Sequence, residues 1–248
     1  MTFKLGKTPA RVGAVKLKFR DFAVRAKLPK RPAHFGHEGL FKDWGMLAND
    51  TVGDCVIAGG EHETMVWNGA CGKFVPTFTA DTAVQDYSAI AGYDPADPST
   101  DQGTDMELAA KYRRKTGLVD SHGNRHQIGA YLDLAPGNLE EFLQAAWMFE
   151  CVGCGFEFPT SAMDEFNAGK PWAVVKGSRV EGGHYVPLVA KRTDLVVVTW
   201  GRTQRVTSGF FKKYNDEGIV YLSPEMIASD KSPEGFDLKA LQEALASL

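Results

Sequence analysis

Long apolar runs are missing from this 248-residue chain. None approaches the roughly 18 residues that a membrane span needs, so a membrane is excluded as a partner at this stage. The basic N-terminus lacks the apolar core of a secretory signal, which makes a cytoplasmic location the expectation. Cysteine is scarce, with four residues at positions 55, 71, 151 and 154. Four in a chain of this length do not make a disulfide framework; they suit a reducing compartment in which a thiol stays free. Internal repeats and low-complexity segments are absent too, which excludes solenoids and linker-like tails. Cys151-x-x-Cys154 has no second ligand pair at matching spacing, and Asp94, Asp97, Asp101 and Asp105 do not follow the spacing of an EF-hand loop. Neither a metal nor a cofactor is therefore expected.

What is present is an ordinary globular composition, 44% hydrophobic and 24% charged, enough for one substantial domain or two small ones sharing a cleft. The charge is unevenly spread. Residues 1–31 hold ten Lys or Arg against the single acid Asp21, a local charge of +9, so the remainder carries −12 to reach the net −3. A basic arm on an acidic body can grip a protein partner, a nucleic acid or the body itself. The body is the favoured choice, because no aromatic interleaving or nucleic-acid-binding motif accompanies the charge.

One stretch carries chemistry. Residues 49–67 place Cys55 after the turn Gly53-Asp54, with Val56, Ile57, Gly60, Thr64 and Trp67 recurring at helical spacing behind it. Cys55 is thus read as the first residue of a buried helix capped by Asp54. A helix N-terminus offers unpaired N–H groups and the positive end of the macrodipole, both of which favour thiolate over thiol. Downstream, Gly183-His184 opens the apolar run Tyr185 to Ala190, and Leu195 to Trp200 follows after a short polar turn, so the two read as a hairpin. His62, seven residues after Cys55, is read as packing.

These residues together resemble the papain-like cysteine peptidases. In that family a Gln lies six residues before the nucleophilic Cys, and Asn49 lies six before Cys55 here. The family histidine opens a strand about 130 residues downstream, followed by an Asn in an Asn-Ser-Trp-Gly run. His184 and Val198-Thr199-Trp200-Gly201 fall in those places. Leu28-Pro29, Trp44, Asp101-Gln102-Gly103, Ala109-Ala-Lys-Tyr112, Thr116-Gly-Leu118 and Gly218-Ile-Val-Tyr221 extend the likeness over most of residues 28–222. The resemblance implies an α+β fold: a helical left half at about 40–150, an antiparallel β-barrel-like right half at about 151–222, and a cleft between them. A basic arm, 1–27, would precede this domain and a helical tail, 223–248, would follow it.

The resemblance also implies roles. Cys55 would be the nucleophile, His184 the proton carrier, and Asn49 with the Cys55 N–H the oxyanion donors. The family's orienting Asn is replaced by Val198, which cannot hold an imidazole; Thr199 or Gln204 would substitute, with Trp200 as a shield. Gly53, Asp54, Gln102, Gly103 and Gly183 would line the cleft, Gln102 standing where the family has Gly. The implied activity is hydrolysis of a peptide, isopeptide or related amide in a peptide or protein substrate. The alternative is a papain fold kept as a structural or binding protein, such as a phage virion component, with a virion-associated location.

Elsewhere, helices are expected at Asp81–Ala91, Thr104–Gly117 and Leu139–Phe149, the last with Asn138 and Glu141 as a capping box. Cys151–Phe158 reads as a strand with both cysteines buried, and further strands are expected at Arg205–Phe211 and Gly218–Leu222. Pro9, Pro29 and Pro32 argue for extended chain through residue 36, and the tail reads as a short helix after Ser223 and a terminal one at Leu238–Leu248.

Overall fold

A computed structural model describes residues 2–25 and 28–227 of the chain. The terminal helix expected at Leu238–Leu248 and the arm boundary at residue 27 lie outside the described residues. The chain runs through α1 (Phe19–Arg25), β1 (Phe35–Gly36), α2 (Cys55–Ala70), α3 (Ala80–Ala91), α4 (Met106–Lys115), β2 (Leu118–Val119) and β3 (Arg125–His126). It continues with β4 (Ala130–Asp133), α5 (Leu139–Met148), β5 (Val152–Pro159), α6 (Thr160–Asn167) and β6 (Val180–Lys191). It ends with β7 (Leu195–Thr199), β8 (Arg202–Val206), α7 (Ser208–Tyr214), β9 (Asn215–Leu222) and α8 (Pro224–Ile227). No helix among the described residues is long and apolar enough to cross a membrane.

Helix α2 is buried on nearly every side, from Cys55 through Asn68, with apolar and small residues broken by His62, Glu63 and Asn68, each of which finds a hydrogen-bond partner inside the fold. It lies against an antiparallel sheet of order β4-β9-β5-β6-β7-β8, with β1 added at β6. Gly59 is what allows the approach: a Cβ there would lie 2.5 Å from the Tyr185 ring on β6. Helices α5 and α7 contribute Phe142 and Phe211, packed edge to face at 4.9 Å. A Cβ on Gly218 of β9 would meet the Phe142 ring at 2.0 Å, so that contact again requires glycine.

Three expectations change. The sheet is open rather than closed into a barrel, since β4 and β8 end its path unpaired with each other. Residues 1–36 contain helix α1, whose sequence falls between Pro9 and Pro29 where no proline interrupts it. Arg205–Phe211 is not one strand: β8 stops at Val206, and the Thr207 side chain accepts the Phe210 N–H to start α7. Gln102-Gly103 and its aspartates form a tight loop in which each acid is already engaged. Asp94 accepts the Ala96 amide, Asp97 that of Ser99, and Asp105 caps α4.

One buried ion pair ties the helical half to the sheet. Arg113 of α4, with a side chain 2% exposed, donates from Nη1 to Glu63 Oε2 at 2.6 Å, while Tyr185 Oη donates to Glu63 Oε1 at 2.5 Å. The guanidinium also lies over the Tyr221 ring, 4.2 Å from its centroid. Burial pushes the Glu63 carboxyl up, opposed by Arg113 and Tyr185. Removing one member leaves the other charge dry. Arg113→Met should therefore lower stability by about 3–5 kcal/mol, and adding Glu63→Gln should restore part of it. Denaturant midpoints at constant slope read this directly; equal midpoints for wild type and Arg113→Met would mean the pair carries no weight.

Candidate active site

The loop entering α2 is unusual in its backbone. Leu47 and Ala48 both have positive φ, 55° and 66°, which non-glycine residues adopt rarely and at a cost. The turn is held by Val52 N–H donating to Ala48 O and by Asn49 Nδ2 donating to Val52 O at 3.2 Å. It delivers Asp54 to the N-cap position and Cys55 to the first helical residue. Asp54 does not cap with its side chain, contrary to the sequence reading. Its carboxyl is fully buried, and burial drives it well above the usual carboxylate range, with the Asn49 side chain opposing that rise.

Across from this loop, β6 presents His184. The ring is fully buried, and Nε2 is 2.7 Å from Thr199 Oγ1 on β7. Its other nitrogen, Nδ1, has no hydrogen-bond partner. The indole of Trp200 stacks on the imidazole at 4.3 Å with planes 15° apart, and Phe158 meets it edge-on at 5.3 Å. Trp200 and Gly201, with φ of 46° and 77°, form the two-residue turn between β7 and β8. Such a hairpin turn demands positive φ at both central residues, so a tryptophan there is held against its preference. The next residue after His184, Tyr185, donates its amide to Cys55 Sγ at 3.4 Å, which sets the sulfur against the backbone of the residue that follows His184.

The N-terminal segment runs between these two walls. Lys4 N–H donates to Asn49 O at 3.4 Å, Lys7 N–H to Gly183 O at 3.0 Å, and Thr8 N–H to Thr104 O at 3.1 Å; Gly6 O accepts from Thr104 N–H at 2.7 Å. The Gly6 amide favours the charged form of the Cys55 thiol. Phe3 stacks on Trp200 with centroids 5.1 Å apart, and Trp200 Nε1 donates to Lys4 O. The fit depends on glycine on both sides: a Cβ on Gly103 would come within 2.4 Å of Gly6 O, and one on Gly183 within 2.2 Å of Lys7 O. Under this cover burial raises the Cys55 thiol to about 12, with the Tyr185 amide opposing, and lowers His184 to about 3. Thiol and imidazole are both neutral in this state, and no hydrogen bond joins the ring to the sulfur.

Solved structures of cysteine proteases share this arrangement of helices and sheet. Xylellain from Xylella fastidiosa superposes with a TM-score of 0.63 at 12% identity, over 90% of this chain and 98% of that one. The Carica candamarcensis protease CMS1MS2 gives 0.56 at 10% identity, over 78% and 99%. Procathepsin B S9 from Trypanosoma congolense gives 0.58 at 11%, over 87% and 86%. The chain adopts the papain-like fold. No family model matches the sequence, and no curated protein matches it.

Of the residues that the sequence marked, the papain-like fold brings Cys55, His184, Asn49, Thr199, Trp200, Gly53, Gly103 and Gly183 around one groove. Asp54 lies buried beneath it. Of the two residues offered in place of Val198, whose side chain is buried within β7, Thr199 is the one that faces the imidazole. Two others do not take the places expected. Gln204 turns away, donating to Lys170 O and Arg205 O. Gln102 is exposed and folds back onto Ser99 O, so Gly103 alone of that pair meets the groove. His62 donates to Trp44 O and Gly45 O and anchors the loop before α2, a packing role. Among the described residues no three His, Cys, Asp or Glu are grouped to hold a metal. Sequence reasoning missed Lys7, Asp216 and Glu217. The arm's positive charge was visible in the chain, but its path through the groove depends on three glycines separated by long intervals.

Proposed function

We propose that this chain is a cysteine hydrolase of peptide or related amide bonds, held latent by its own N-terminal segment. The observation that supports this most is the imidazole of His184, fixed at Nε2 by Thr199 and covered by Trp200, with Nδ1 unpaired and the amide of the very next residue on the Cys55 sulfur. A neutral imidazole in that position takes the thiol proton, giving the ion pair once water reaches the groove and the desolvation that holds both groups neutral is relieved. The thiolate attacks the carbonyl carbon, and the tetrahedral oxyanion is met by the first-turn N–H of Cys55 and by the Asn49 side-chain amide, which turns from Asp54 to do so. The imidazolium then protonates the leaving amine, and water hydrolyses the thioester by the reverse sequence.

The test is a cysteine-directed epoxide with the labelled thiol located by mass spectrometry. Cys151 and Cys154 are driven well above the ordinary thiol range by burial and serve as internal references. After the N-terminal segment is displaced, Cys55 should label far faster than the other three thiols, and His184→Ala should remove the advantage. Equal slow labelling at all four, unaffected by His184→Ala, would leave the fold as a binding or structural scaffold.

Thr199 acts through His184 as a positioning residue. Thr199→Val should cost on the order of 10- to 100-fold in kcat with KM little changed, less than the roughly 10⁴-fold seen when a charged triad member is altered. Thr199→Asn should recover most of the loss, because an amide oxygen can accept the same ring N–H. A Thr199→Val enzyme as fast as wild type would mean that Trp200 alone holds the ring.

A further inference from the structure

Beside Gly6, the side chain of Lys7 leaves the groove and enters a pocket. The ammonium is completely covered, with Lys7 Nζ 2.8 Å from Asp216 Oδ2, 3.8 Å from Glu217 Oε2 and 3.0 Å from Thr8 O, the last belonging to the same segment. Both acids sit at the start of β9, next to the central strand β5. Gly155 of β5 keeps the pocket open: a Cβ there would lie 2.3 Å from Lys7 Cε and 3.0 Å from Met106 Sδ. Asp216 still has capacity, since its Oδ1 is buried without a partner. A lone buried ammonium is costly, and a floor of two carboxylates with an unused oxygen is what a cationic side chain requires.

Nothing in the groove's backbone contacts asks for lysine at this place. The bonds to Gly183 and Thr104 are made by main-chain atoms, which any residue supplies. The selectivity therefore lies in the pocket. We propose that Asp216 and Glu217, reached past Gly155, form a side-chain subsite for lysine or arginine, that Lys7 occupies it as a stand-in for a substrate residue, and that the enzyme acts on basic peptides. An arginine fits the same description, with its fork able to engage both oxygens of Asp216. This deepens the hydrolase reading and rests on it only for the word substrate; the pocket's preference for a cation does not depend on catalysis.

Two measurements on the full chain separate the ideas. The first is the rate at which a cysteine-directed epoxide labels Cys55 in the intact protein. Lys7→Met should raise it on the order of 30-fold by loosening the segment, and Lys7→Arg should leave it within about 2-fold of wild type. Asp216→Asn should act like Lys7→Met, and the double variant should be no faster than either single change. A Lys7→Met chain that labels no faster than wild type overturns the subsite. The second uses the full chain carrying Gly6→Val, which displaces the segment, against a positional library of fluorogenic peptides. Lys and Arg should exceed Leu and Phe by at least about 10-fold at one position, and Asp216→Asn should erase that preference. Hydrolysis with apolar side chains favoured at every position overturns the subsite and leaves the hydrolase standing. If no peptide is cut and Cys55 labels no faster than the other thiols, the hydrolase fails, and the subsite is judged by the first measurement alone.

Discussion

Replacing Gly6 by valine in the full chain should raise the rate of Cys55 alkylation on the order of 100-fold. Gly6 passes so close to the loop before α2 that a Cβ would lie 1.7 Å from Gly53 O and 2.2 Å from Gly53 C. Those are backbone atoms at the entrance of a buried helix and cannot step aside as a flexible side chain would. The segment must leave instead, and with it goes the cover that holds thiol and imidazole neutral. Alkylation then reads the population of uncovered chain, since only that population exposes the sulfur. Gly39→Val is the control: no atom lies within 4 Å of its Cβ, so the same side chain there should change nothing. A Gly6→Val chain that melts lower yet labels at the wild-type rate would show that Cys55 is shielded by the body of the fold and not by the N-terminal segment.

The largest effect is expected at the imidazole. In the Gly6→Val background, His184→Ala or Cys55→Ala should reduce peptide hydrolysis by about 10⁴-fold or more, the scale on which members of a nucleophile–base unit fail together. The two substitutions should not add, because either one removes the thiolate-bearing pair. His62→Ala offers the contrast: its ring serves the carbonyls of Trp44 and Gly45, so it should lower stability while leaving the rate per folded molecule close to that of the parent. Initial rates normalised to folded protein decide the matter. Hydrolysis surviving His184→Ala at more than a few per cent would move the base to another residue.

Much of the site was legible because its parts are local. A glycine turn before a helix pattern gave Cys55, and a histidine opening an apolar run gave His184; both positions follow from periodicity and turn chemistry within a dozen residues. The α+β class was readable for the same reason, as were α2, α3 and the β6–β7 hairpin. The partner of the imidazole was harder. The motif puts Val198 in the orienting place, its side chain cannot accept an N–H, and the sequence left Thr199 and Gln204 as candidates; which of them faces the ring is decided by strand register and pairing, which no local pattern shows. The open sheet, the start of β9 at Asn215 and the turn of Arg205–Phe211 into α7 are set by pairing across the sheet and by the Thr207 cap. The course of the N-terminal segment was least legible. Lys7 meets Asp216 more than two hundred residues away in sequence, and no local pattern marks either as a partner.

The segment over Cys55 is part of the same polypeptide, joined to the body through α1 and the stretch that pairs Arg20 with Asp133. Its occupancy is therefore a unimolecular equilibrium, governed by a local concentration in the millimolar range for a short tether. Dilution cannot release it, and a free competitor at micromolar levels meets odds of about a thousand to one. A single cut between residue 8 and α1 would change the order of the reaction: the segment would become a separate, weakly held peptide, and the sulfur would be uncovered simply because the fragment drifts away. Alkylation that is constant over a hundredfold range of protein concentration before such a cut, and rises on dilution after it, is the signature expected.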